Sequence, residues 1–190
     1  MAQTTKKALA ASLKKLLLTK PLNKITINDI TKDCEINRMT FYYHFKDIYD
    51  LVEWIFIEEA SVVLEGKKTY DTWMQGMLNI YEWVLENKPL IVNVYHSANR
   101  ETLERYLYKV TYDLIYGVVE EKASNIPVSE EDKVFIADFY KYAFVGEMMN
   151  WIKDGMKEEP QWIVKRLAGL IHGSMEQAFQ YYCKDRYTLK

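Results

Sequence analysis

The side chains best suited to recognition chemistry stand together in INRMTFYYHF, residues 36–45. The stretch combines a guanidinium (Arg38), hydroxyls (Thr40, Tyr42, Tyr43), an imidazole (His44) and an amide (Asn37), with no glycine, proline or acid. A guanidinium can pair with guanine O6 and N7 in a major groove, and Thr40 can touch a thymine methyl or a phosphate. Tyr42 and His44 can donate to phosphate oxygens, which fixes orientation without reading sequence. A buried segment has no need of Arg38, Thr40 and His44. An ordinary solvated helix has no need of Phe41, Tyr42, Tyr43 and Phe45.

Those side chains act together only if a helix sorts them. With Asn37 as N-cap, Phe41 and Phe45 fall four apart on one face, able to pack on Ile30, Cys34 and Ile36. Met39, Thr40, Tyr43 and His44 lie off that face, Arg38 sits in the exposed first turn and Tyr42 to one side. Upstream, Thr26 and Asp29 have capping-box spacing, and Ile27, Ile30 and Cys34 share a face of a short helix. Before it, Leu9, Leu13, Leu16 and Leu17 stripe a helix expected over residues 5–19, which Pro21 stops. Asp47 is placed to cap a further helix running to Leu64. Two short helices joined by a few residues form a helix-turn-helix pattern. Exposed N–H groups at the helix starts near Thr26 and Asp47 offer phosphate sites, with Lys46 adding charge. The expected DNA-facing set is Thr26, Asn28, Asn37, Arg38, Met39, Thr40, Tyr42, Tyr43, His44 and Lys46.

Charge is divided in the same way. The net charge is −2, yet residues 1–50 hold nine Lys and Arg against five Asp and Glu, leaving the remainder at −6. A basic head on an acidic body suggests that only the head meets a polyanion.

The 190 residues contain seven Gly and four Pro, too few for a meander of short strands. Helices are expected near 70–87, 89–95, 99–122, 130–154 and 160–186, so the fold expected is all-α, with about nine helices. Its parts are a helix-turn-helix domain over 1–47 and a helical body over 48–190. No P-loop, nucleophile elbow or dinucleotide fingerprint is present. His44, His96 and His172 are scattered and no CxxC occurs, so neither a metal, a cofactor nor an enzyme is expected. Cys34 and Cys183 read as reduced thiols, no leader opens the chain, and no run reaches membrane-spanning length, so a cytoplasmic protein is expected.

ITINDITKDCEINRMTFYYHFKDIYDLV resembles the DNA-binding signature of TetR/AcrR-type transcriptional regulators. The matching positions are Thr26, Ile27, Ile30, Ile36, Thr40, Phe41, Tyr42, His44, Phe45 and Leu51. Glu35 stands where that pattern has its turn glycine, implying a strained left-handed residue, and Ile48 stands where it commonly has a phosphate-holding cation. The resemblance implies a homodimer on a palindromic duplex operator and a small-molecule effector or coactivator protein sensed by the body. The last two long helices then form the dimer interface, through Phe135, Phe139, Tyr142, Gly146, Met149, Ile163, Leu167, Ile171, Ser174 and Ala178. Trp54, Trp73, Tyr81, Tyr95 and Tyr112 are candidates to line an effector pocket, with core packing their competing role. The runs LVEWIF and YEWVLENKPLIVNVY are also similar to the TetR-like regulators associated with dihydroxyacetone-kinase operons. A helical protein-interaction module without DNA binding is the alternative, and steep salt dependence of binding separates the two.

Overall fold

The computed structural model describes every residue except 1, 64, 67, 68, 98, 99, 172 and 186–190. The helix limits expected at Leu64, Asn99 and Arg186, and His172, lie outside the described residues. Among the described residues there is no strand. The α-helices are α1 (Ala2–Leu16), α2 (Ile27–Asp33), α3 (Arg38–His44), α4 (Ile48–Val63), α5 (Trp73–Glu86), α6 (Lys88–Tyr95), α7 (Arg100–Ala123), α8 (Glu130–Lys153), α9 (Pro160–Ile171) and α10 (Ser174–Asp185). The fold is all-α, as the scarcity of turn residues requires.

Residues 1–62 and 86–106 form one compact unit, and residues 63–85 and 107–190 a second. Most of α4, all of α6 and the start of α7 therefore cluster with the first three helices, a grouping unlike the 1–47 and 48–190 division drawn from sequence.

In the first unit, Leu9 and Leu13 of α1, Ile30 of α2, Phe41 of α3 and Leu51 and Ile55 of α4 are fully buried. The α1 stripe is thus as expected, although Leu16 is only half-buried and the helix ends there instead of at Thr19. Ser12 donates its hydroxyl to the Ile30 carbonyl at 3.1 Å, joining α1 to α2. Lys14 pairs with Glu59 and Lys15 with Asp33. From α6, Asn93 accepts the Leu22 N–H at 2.9 Å through Oδ1, holding the short 3-10 turn between α1 and α2.

In the second unit, Met77, Ile80, Tyr81 and Val84 of α5 are buried, as are Leu114 and Val119 of α7, Phe144 and Val145 of α8 and Phe179 of α10. Trp73 stacks on Phe144 with centroids 6.1 Å apart, and Tyr81 meets Trp151 edge-on at 5.1 Å. The helix expected over 160–186 is instead two helices. Gly173 adopts φ 82°, outside helical space, and α10 begins after it.

Two helix ends share one motif. At the end of α8, Gly155 takes φ 83°, with Gly155 N–H to Ile152 O at 3.1 Å and Met156 N–H to Trp151 O at 2.9 Å. At the end of α2, Glu35 takes φ 55°, with Glu35 N–H to Lys32 O at 3.4 Å and Ile36 N–H to Thr31 O at 2.9 Å. Both are Schellman endings, in which the left-handed residue is usually glycine. Glu35 fills that place with a side chain, so the α2–α3 turn holds strain that Gly155 avoids.

The start of α2 is reinforced instead. Thr26 Oγ1 accepts the Asp29 N–H, Asp29 Oδ2 accepts the Thr26 N–H at 2.8 Å, and Lys20 lies 3.1 Å from the same oxygen. Hydrogen bonds from the Thr26 backbone and hydroxyl, followed by that from Lys20, lower the Asp29 carboxyl to about 2.

Two outcomes follow for stability. Glu35→Gly should raise the unfolding free energy by about 1 kcal/mol, read from the urea midpoint at unchanged slope. An unfolded Asp titrates near 3.8 and the folded Asp29 at about 2, so its capping contribution is whole above the first value and lost as pH falls through the second. Melting temperatures of Asp29→Asn should accordingly lie below those of the parent at about pH 5 and converge with them near pH 2.

Candidate nucleic-acid interface

The α2–turn–α3 segment presents most of the expected side chains outward. Asn37 caps α3 by accepting the Met39 N–H at 2.8 Å, so its side chain is engaged in building the helix. Phe41 and Phe45 turn inward at 0% and 3% exposure, while Met39 and Tyr43 stand out at 74% and 83%. Arg38 and Tyr42 are also exposed, and Thr40 and His44 are half-buried. The seven residues of α3, with Phe45 as C-cap, thus separate into an anchor and a display face.

The anchor is aromatic. Phe45 contacts Phe41 and Trp54, each with centroids 5.8 Å apart, and the Lys6 ammonium lies 5.4 Å from the Phe45 ring and 5.6 Å from Trp54. Trp54, expected as pocket lining, instead backs the helix-turn-helix. Lys6 was absent from the expected site, because an α1 lysine gives no sign in sequence of which ring it will cover.

On the display face, Arg38 donates from Nη2 to the Tyr42 hydroxyl at 3.2 Å, with its guanidinium carbon 5.6 Å from the ring centroid. Base-reading and phosphate-binding candidates are therefore joined one helical turn apart. Tyr43 meets His44 edge-on at 5.0 Å. Lys46 is exposed and its N–H is accepted by Asp50 at 2.8 Å.

The helix starts differ from expectation. Asp29 takes the Thr26 N–H and bonds its hydroxyl, so Thr26 serves the cap of α2. At α4, Asp47 Oδ1 accepts the Tyr49 and Asp50 N–H groups, each at 2.9 Å. Carboxylates thus stand at both helix starts and take part of their N–H groups. Asn28 remains exposed on α2.

The aromatic residues expected to surround an effector are dispersed. Tyr95 of the first unit packs under Arg100, 4.5 Å from its ring centroid. In the second unit, Tyr81 is fully buried, and its burial, with the Glu147 charge second, raises its hydroxyl pKa well above the ordinary value. Trp73 and Tyr112 line separate clefts. Trp73 faces a mainly apolar cavity.

Of the residues assigned to a dimer interface, Phe135, Phe139, Tyr142 and Gly146 form an exposed face of α8. Met149, Ile163 and Leu167 are buried within the chain. The stripe chosen on α9 is its inner one, and its outer face carries Trp162, Arg166, Gly169 and Leu170. Ile171 borders the Trp73 cleft, Ser174 bonds Tyr140 at 2.7 Å, and Ala178 is half-buried. The exposed α8 stripe repeats every three to four residues and so covers one side of the helix.

Known proteins share this fold. A TetR-type family model, described as a transcriptional regulator C-terminal region, matches residues 71–173. The dhaKLM operon transcriptional activator DhaS of Lactococcus lactis subsp. lactis (strain IL1403), a helix-turn-helix type protein, is 26% identical over 141 residues, 71% of this chain and 72% of that one. A solved structure of a dihydroxyacetone kinase operon activator DhaS superposes with a TM-score of 0.75 at 20% identity, over 90% of this chain and 96% of that one. NalD, the secondary repressor of the MexAB-OprM efflux pump in Pseudomonas aeruginosa, gives 0.58 at 14% identity, over 97% of this chain and all of that one. With its body matched across more than half the chain, and a helix-turn-helix displaying Arg38 to Tyr43 ahead of it, this protein belongs to the TetR family of DNA-binding transcriptional regulators.

Proposed function

We propose that the chain binds a palindromic duplex operator as a homodimer and changes its hold on that operator in response to a signal received by its body. The observation that carries the DNA reading is the division of α3, with Phe41 and Phe45 buried and Arg38, Met39, Tyr42 and Tyr43 exposed. Arg38, Met39, Thr40 and Tyr43 read base edges; Tyr42, His44 and Lys46 hold phosphates, with Asn28 at the edge of the contact. Thr26 and Asn37 act as caps that place these groups. Residues 1–47 carry the DNA contact and 48–190 the dimer and the sensing surface. The protein works in the cytoplasm, where its operator is.

A dimer is required by the operator, since two α3 helices must reach major grooves about 34–36 Å apart or a multiple of that. Phe135, Phe139 and Tyr142 on α8, with Trp162 and Leu170 on α9, supply exposed apolar groups on which a second copy can pack. The named relative is an operon activator. That favours activation here, with the effector either a small molecule or a coactivator protein. The composition of the site favours binding, and no catalytic role is assigned.

Selection of operators from a random duplex pool, followed by gel-shift titration, tests the reading. Arg38→Ala should relax choice at one operator position by about 1–3 kcal/mol, and Tyr42→Ala should weaken all operators alike. The logarithm of affinity should fall with that of salt by about 0.9 per phosphate neutralised; a flat salt response would favour a protein-interaction module. For the dimer, Phe139→Glu combined with Leu170→Glu should sediment as a folded monomer and bind operator about a hundredfold more weakly. Persistence of the dimer in that variant would remove α8 and α9 from the interface.

A further inference from the structure

The exposed side chains of α3 fall into two stripes. Arg38 and Tyr42, four residues apart, form a polar one, closed by the 3.2 Å hydrogen bond from Nη2 to the tyrosine hydroxyl. Met39 and Tyr43, also four apart, form the other, with exposures of 74% and 83%. The Tyr43 ring meets that of His44 edge-on at 5.0 Å, which restricts its swing. A thioether and a ring face held in water gain free energy by covering apolar surface. On the base edges of a major groove that surface is the thymine C5-methyl; the other groups there are hydrogen-bond donors and acceptors.

We propose that Met39 and Tyr43 read thymine methyls, so that each operator half-site places two thymines, within about two base-pair steps of each other, beside the guanine met by Arg38. This deepens the reading of α3 as the duplex-contacting helix and rests on it. The spacing agrees. Four residues advance a helix by about 6 Å, and two base-pair steps advance a duplex by about 7 Å.

The charge around the stripe names its occupant. Residues 1–50 carry nine Lys and Arg against five Asp and Glu, and Arg38 is exposed beside Met39 on the same helix. An apolar stripe in a basic surrounding suits an apolar group carried on a polyanion, and a thymine methyl between two phosphate strands is such a group. A G·C pair at either position is penalised, because its N4 donor and its O6 and N7 acceptors lose water against side chains that leave them unpaired. Met39 and Tyr43 therefore select by exclusion as well as by contact. Thr40 also carries a methyl, but it is half-buried and offers less of it.

Operators selected by the full chain from a random duplex pool provide the probe. Gel-shift titrations then compare each selected duplex with copies in which one thymine per half-site is replaced by deoxyuridine, which lacks the C5-methyl and keeps every base pair. At two positions the replacement should lower affinity about fourfold for each methyl removed, and 5-bromodeoxyuridine, whose halogen fills the same volume, should restore it. Met39→Ala should bind thymine and deoxyuridine alike at one of these positions and Tyr43→Ala at the other, while Arg38→Ala should keep both preferences. Tyr43→Phe should behave as the parent, because the ring and not the hydroxyl makes the contact. Circular dichroism checks that each variant is folded. An operator bound with sequence preference whose thymines all accept deoxyuridine without loss overturns the methyl contact and leaves α3 as the duplex-contacting helix. A uniform loss of affinity in Tyr43→Phe overturns it for Tyr43, which then holds a phosphate. Selection of no operator at all overturns both.

Discussion

Everything displayed on α3 depends on the burial of two aromatic rings beneath it. A helix of seven residues does not persist alone in water, because its nucleation is unfavourable and few hydrogen bonds follow. Phe41 and Phe45, burying their rings against the first unit's core and Trp54, supply what propensity cannot. Burial of a Phe side chain contributes about 1.5–3 kcal/mol, comparable to or larger than the roughly 1–2 kcal/mol of strain at Glu35. The turn can therefore tolerate a left-handed glutamate because the helix after it is held from below. Exposed residues of α3 are then free to be chosen for what they meet outside the protein.

The same logic explains which features were legible in the sequence. Thr26 with Asp29, Asn37 before Arg38, and Phe41 four residues ahead of Phe45 are local relations, fixed by helix geometry whatever the rest of the chain does. Glu35 could be read as strained because a Schellman ending demands a left-handed residue at that place. The outer face of α9 was not legible. Ile163 and Leu167 and the alternative pair Trp162 and Leu170 are both apolar stripes with helical spacing, and only the neighbours decide which turns inward. The aromatic residues of the body are dispersed for a related reason. Composition shows how many rings there are, but Trp54, Tyr95 and Tyr81 each found a different partner. The break at Gly173 was visible as a glycine, yet one glycine inside a continuous apolar pattern is compatible with an unbroken helix.

Electrostatics distinguishes the two ends of the chain more finely than net charge does. At the helix starts of the first unit, Asp29, Asp47 and Asp50 occupy backbone N–H groups. These carboxylates place negative charge at both helix starts, and one of them, Asp29, is held ionised down to about 2. The exposed side chains of α3 and Lys46 carry no such commitment to a helix start. Side-chain groups are adjustable residue by residue, whereas backbone groups are set by the fold.

Two flexible cations of the chain are held in the same way by neighbouring phenols. Arg38 donates to the Tyr42 hydroxyl with its guanidinium beside that ring, and the Lys122 ammonium lies over the Tyr70 ring and 3.6 Å from Glu176. A paired cation leaves its partner groups satisfied, and a ring beneath it limits the directions the long side chain can take. The two pairings differ in reach. Arg38 and Tyr42 are four apart on one helix, a relation that helix geometry fixes, whereas Tyr70, Lys122 and Glu176 are brought together only by the packing of the second unit.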